Sequence, residues 1–165
     1  MVPLLALLLG ASSPQPTAPQ VPRTEQAPPG LKFTLALCPD SHLTRKDVRR
    51  VTTAFRMAGH RFTRPVVLDE CYDGLVPGYI YIDTVDFDLL NEPETLGIAD
   101  ISGPPGWTLG GIILLDDRSN IEVLKHEVAH ILGYDHSESG LMAPRMRLGD
   151  TYTLEGLSVW GKKRR

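Results

Sequence analysis

No internal repeat runs through this 165-residue chain, and no apolar run is long enough to cross a bilayer. The length leaves room for one domain with a sizeable core. Charge of either sign is close to balanced, with a net charge of −3, so nothing in the composition argues for a nucleic-acid partner. Cysteine is scarce: Cys38 and Cys71 are the only two, and none occurs in the first thirty residues.

The N-terminus is the least conventional part. Residues 1–13, MVPLLALLLGASS, form a short apolar run that ends in small residues. It reads as the apolar and cleavage regions of a secretory signal peptide, although no Lys or Arg precedes the run. A retained apolar anchor is the alternative reading. Residues 14–30 are rich in proline and polar residues and read as a linker. The folded domain is expected over 31–165, secreted or otherwise outside the cytoplasm, with no stable membrane span and acting as a monomer. The terminal Lys162-Lys163-Arg164-Arg165 reads as a solvated end that complements the dipole of a last helix.

Along the domain the order of elements is legible. Strands are expected at 32–37, 65–68, 79–85, 95–101 and 111–115. Thr44 opens a helix as N-cap, with Asp47 completing a capping box. Val48, Val51, Phe55 and Ala58 follow at helical spacing, and Gly59 marks the stop. A second helix follows Asn120, and a third is expected at 154–160. A β-α-β start with late helices implies an α+β fold, a mixed sheet with its helices on one side.

The second helix carries the chemistry. His126-Glu127-Val128-Ala129-His130-Ile131-Leu132-Gly133-Tyr134-Asp135-His136 reads H-E-x-x-H-x-x-G-x-x-H. His126 and His130 are four apart, hence stacked on one helix face. Ile121, Leu124, Val128, Ile131 and Leu132 form an apolar stripe on the opposite face. Gly133 can take the left-handed conformation that ends a helix, letting His136 turn back. Three neutral imidazoles are the donor set of a catalytic zinc, with one coordination position left for water. Glu127 does not share their bearing and would serve as general base and acid for hydrolysis. Such a match arises by chance on the order of once in ten million positions at average residue usage, which sets aside a fortuitous cluster of surface histidines.

The stretch continues His136-Ser137-Glu138-Ser139-Gly140-Leu141-Met142-Ala143-Pro144. With the third histidine followed by serine, and a methionine before Ala-Pro, it resembles a metzincin metallopeptidase, most closely the matrixin branch. The resemblance is specific over about 110–161, including the ending Val159-Trp160-Gly161. It implies a twisted five-stranded sheet with three helices and a zinc cleft under the edge strand. It also implies one catalytic zinc, peptide or protein substrates, and Met142 as the Met-turn residue beneath the ligands. An extended peptide would then pair with the strand before the motif helix, at Gly111, Ile112 and Ile113, unless that strand is internal. The loop 143–150 would wall the pocket for the residue after the cut.

Other residues keep two readings. Asp116-Asp117 could touch calcium or form a solvated turn. His42 and His60 are isolated and expected at the surface. Cys38 and Cys71 end neighbouring strands and could form a disulfide or remain a free pair. A zinc-containing binding module that turns nothing over is the alternative to a protease. Keeping Glu127 argues against it, since a structural site needs only the histidines.

Overall fold

The computed structural model describes residues 23–71, 74–89, 94–146, 149–154 and 156–157. The apolar segment 1–13, the linker up to residue 22, Arg147, Leu148 and the Lys162–Arg165 end lie outside the described residues. So does Val159-Trp160-Gly161.

Five strands form one mixed sheet: β1 (Thr34–Leu37), β2 (Val66–Val67), β3 (Tyr79–Thr84), β4 (Gly97–Ser102) and β5 (Gly110–Leu115). Their spatial order is β2-β1-β3-β5-β4. The β1–β2, β1–β3 and β3–β5 pairs are parallel, and β4 runs antiparallel to β5 at the edge. Parallel neighbours require crossovers. The first crossover carries α1 (Arg45–Met57) between β1 and β2, and α2 (Ile121–Ile131) follows β5. All four residues of β1 are buried, as expected for a strand covered on both faces.

Both helices start where side chains satisfy the first free amides. The Thr44 hydroxyl accepts from the Asp47 amide, while the Asp47 carboxylate accepts from the Thr44 amide, the capping box expected from the sequence. Asn120 accepts from the amides of Glu122 and Val123. Helix α1 buries Val48, Val51 and Phe55, and α2 buries Leu124, Val128 and Ile131. These residues meet Leu35, Ile80, Ile82, Ile113 and Leu115 of the sheet in one core.

Among the described residues there are two α-helices and one 3-10 turn, Gly140–Met142, which corrects the expected third helix. Of 154–160, the described Leu154, Gly156 and Leu157 are not helical. Gly156 takes φ +82°, a left-handed conformation that breaks a right-handed helix. The Leu157 carbonyl is engaged by the side chains of His60 and Tyr134 instead.

That contact also corrects His60, expected at the surface. It is 8% exposed, donates from Nε2 to the Leu157 carbonyl at 2.7 Å, and meets Tyr134 edge-on. His42 is exposed as expected, its ring bonded to Thr84 and to the Ser119 carbonyl. Burial pushes the His60 imidazole down to about 4, and the Leu157 hydrogen bond opposes the shift only in part. Above about pH 6.5 this group is neutral in both states. Between about 6.5 and 4 only the unfolded chain takes the proton, so stability is lost as pH falls, by up to about 3 kcal/mol. His60→Gln should flatten that part of the curve, and urea unfolding at pH 7.5 and 4.5 measures it.

Cys38 and Cys71, at the ends of the parallel neighbours β1 and β2, are joined in a disulfide. No helix among the described residues is long and apolar enough to cross a membrane. Residues 23–28, read from sequence as linker, are paired with the domain. The Thr24 amide donates to the Gly133 carbonyl, and Gln26 exchanges backbone bonds with Gly106 and Thr108.

Candidate metal centre

The three histidines come together. His126 and His130 project from α2, with Nε2 atoms 2.9 Å apart. His136 arrives from the loop beyond, its Nε2 3.2 Å from that of His130. Gly133 makes this possible with φ +85° directly after the helix. A side chain there would also strike the backbone of Glu25, where a Cβ would sit 2.4 Å from the carbonyl oxygen. The 23–26 segment thus packs directly over the turn that delivers the third histidine. Arg23 adds a bond from Nε to the Leu132 carbonyl and stacks its guanidinium 5.0 Å from the Tyr134 ring.

Hydrogen bonding sets the tautomers. Nδ1 of His126 lies 2.6 Å from the Leu141 carbonyl, and Nδ1 of His130 lies 2.9 Å from the Tyr134 carbonyl. A carbonyl only accepts, so each Nδ1 bears the proton and each Nε2 keeps a lone pair facing the cluster. Lone pairs converging at this range repel one another unless a cation lies among them. Tetrahedral zinc, with Zn–N bonds of about 2.0–2.1 Å, spaces its nitrogens roughly 3.4 Å apart. The donor set and its spacing fit such an ion. Burial lowers the pKa of His126 to about 4 and also lowers that of His130, favouring the neutral imidazole a metal requires.

The Leu141 carbonyl belongs to the 3-10 turn that contains Met142. Met142 is buried in the core and does not line the cleft. The Met142 carbonyl accepts from the Ser137 amide, tying the turn to the residue after the third histidine.

Glu127 enters the same cleft, a hollow of about 870 Å³. One wall is β4 with the residues just before it, Leu96, Gly97, Ile98 and Ala99 among them. Another is α2, and the third is Ala143, Pro144, Arg145 and Met146 from the expected pocket loop. Burial pushes the Glu127 carboxyl up to about 7. A cation among the histidines would oppose that rise.

The sheet corrects the expected substrate strand. Gly111, Ile112 and Ile113 lie in β5, which is hydrogen-bonded to β3 on one side and β4 on the other. Its backbone has no edge to offer. The edge is β4, and the sequence concealed this because the chain reaches the edge first and then returns inward. Gly111 serves packing instead: a Cβ there would lie 2.3 Å from the Asp100 carbonyl of β4.

Gly97 of β4 escaped sequence reasoning. An added Cβ would stand 2.9 Å from both Cγ and Oε1 of Glu127. Only a residue without a side chain lets the carboxylate keep its place beside the edge strand. Gly97→Ala should leave folding and metal content nearly unchanged. If Glu127 serves as the base of a hydrolysis, as the sequence leads one to expect, the rate should fall by about tenfold or more, since displacing such a group by about 1 Å costs up to 10²-fold. Steady-state kinetics on one peptide checks this, and an unaltered rate would mean Glu127 tolerates the shift.

Asp116 is not the solvated turn residue that was one of its two readings. It is buried, accepts from the backbone amides of Phe87 and Arg118, and pairs with the Arg118 guanidinium, which holds its carboxyl well below the usual range. Asp117 beside it is exposed.

Comparison with protein-family models and with curated proteins finds no match to this chain.

Proposed function

We propose that this protein is a secreted zinc-dependent endopeptidase, similar to metzincins of the matrixin branch. One observation carries the reading. The Nε2 atoms of His126, His130 and His136 converge in a cleft that also receives the buried carboxyl of Glu127 and runs along an edge strand.

His126, His130 and His136 would hold the metal. When bound, zinc supplies Lewis acidity, polarising a carbonyl and lowering the pKa of water. Glu127 takes the proton from the attacking water and passes it to the departing amine. Its apolar surroundings raise its basicity toward neutral pH, where such a transfer is most effective. An extended peptide adds to β4 as a further strand, held through its backbone whatever its side chains. The Ala143–Met146 wall then faces the residue following the scissile bond. The Cys38–Cys71 bond agrees with maturation in an oxidising compartment.

The test is cleavage of a denatured protein by the zinc-loaded chain, with and without a chelator. Peptide fragments should appear, vanish on chelation, and return with added zinc. Stoichiometric zinc without any cleavage would leave the binding-module reading in its place.

A further inference from the structure

The near-neutral net charge hides a strong separation. Between Thr44 and Arg64 the chain carries Arg45, Lys46, Arg49, Arg50, Arg56, Arg61 and Arg64 against the single acid Asp47. Beyond Arg64, up to Leu157, acids outnumber Lys and Arg about fourfold. The cations are gathered by the fold as well as by the sequence. Arg45, Arg49 and Arg56 lie four and seven residues apart on α1, within one narrow arc of its surface, in a row roughly 16 Å long. With Lys46 and Arg64 they line a hollow of about 690 Å³. A second hollow of about 500 Å³ adds Lys32 and Arg61 and shares Arg56 and Arg64 with the first. The two form one groove, and none of its lining residues lines the histidine cleft.

Among the described residues no carboxylate lines either hollow. Asp47 is occupied with the Thr44 cap and Arg50. At the junction, Arg56 is held by a bond from Nε to the Phe62 carbonyl at 2.8 Å. Concentrating this much like charge raises the energy of the folded chain, and an anionic partner relieves it.

We propose that this groove binds a linear sulfated polysaccharide. Arginine outnumbers lysine along it, and the guanidinium fork matches the paired oxygens of a sulfate. Nucleic acid fits less well. The two rings in the lining, Phe62 and His60, are buried and offer no face on which a base could stack. The Cys38–Cys71 bond agrees with maturation in an oxidising compartment, away from the cytoplasm where nucleic acids are concentrated. The groove is independent of the hydrolytic reading and would tether the protein to such a matrix while leaving the histidine cleft open.

The experiment is binding of heparin to the full chain by titration at several salt concentrations. Three arms accompany it: desulfated heparin, single-stranded DNA, and a variant with Lys162, Lys163, Arg164 and Arg165 changed to alanine. Affinity should fall steeply with salt, as displacement of counterions requires. Combining Arg45→Glu, Arg49→Glu and Arg64→Glu should weaken heparin binding by at least about tenfold and flatten the salt dependence. Arg49→Glu alone should act in the same direction if the triple variant fails to fold. The terminal variant should bind nearly as the parent does. Loss of binding in the terminal variant but not in the groove variants would overturn the proposal. Equal binding of desulfated heparin would also overturn it, and tighter binding of DNA would make nucleic acid the occupant.

Discussion

His130→Ala should abolish zinc binding at micromolar metal, where the parent chain is expected to take up one ion. His130 is the middle member of the proposed ligand set: its Nε2 lies within 3.2 Å of the Nε2 atoms of both partners. Removing it leaves two nitrogens that cannot enclose a cation. Structural zinc sites with four ligands are worth about 10–16 kcal/mol, so each ligand contributes roughly 3 kcal/mol, or on the order of 10²–10³ in affinity. The fold should survive, because the histidine side of α2 faces the cleft while Leu124, Val128 and Ile131 hold the helix to the core. The pH dependence follows from the same geometry. Metal and proton compete for Nε2, so affinity falls in acid. Burial depresses the pKa of His126 to about 4, so a proton displaces metal from that ligand only in stronger acid than an exposed imidazole would need. Competition with a chromogenic chelator from pH 8 to 5 measures both effects. Full zinc content in the variant would remove the three histidines as the ligand set.

Glu127→Gln should cut kcat/KM by about 10²-fold or more while zinc content stays unchanged. The amide keeps the shape of the carboxylate and its fit beside Gly97, but it cannot take a proton. A second readout separates this from a structural effect. Burial raises the folded pKa of Glu127 from 4.5 to about 7 in the metal-free chain. A raised carboxyl pKa means that the folded state favours the protonated form. That preference is fully present below about pH 4.5 and is lost as pH rises through 7. At pH 8 the metal-free parent therefore carries a penalty of about 3 kcal/mol that the glutamine variant does not. Urea unfolding of both in chelator should show the variant more stable at pH 8, with the gap closing by pH 4.5. A variant that is slow and also less stable at pH 8 would mean that the substitution damages packing. One that cleaves as fast as the parent would remove Glu127 as the base.

Much of this was legible in the chain. The histidine spacing, the opposed apolar stripe and the Asn120 cap are local properties of one helix, and sequence specifies local periodicity directly. The same holds for the Thr44–Asp47 capping box, the left-handed Gly133 and the five strands, which lie within about two residues of their expected ends. That Cys38 and Cys71 could approach each other was legible from the β-α-β unit, whose parallel neighbours bring strand ends together, but only the folded chain decided between a disulfide and a free pair. Strand order was not local. Nothing in Gly110–Leu115 distinguishes an apolar inner strand from an apolar edge. Only the sheet decides that β5 is enclosed and that the half-exposed β4 forms the wall of the cleft.

Tertiary contact likewise decided the fate of His60. An isolated histidine carries no periodic signal, and its burial comes from the Leu157 carbonyl nearly a hundred residues away. Gly97 reads as an ordinary strand glycine until the Glu127 side chain is seen against it. The basic residues of α1 line a groove only because Arg61 to Arg64 lie beside them. Sequence by itself determined which residue types were available for chemistry and which helix face bore them. The packing of distant segments decided which strand offers an edge, which carbonyls orient the imidazoles, and how deeply the carboxyl is desolvated. Edges, second partners and burial are relations between residues far apart in the chain, and they exist only once the chain has folded.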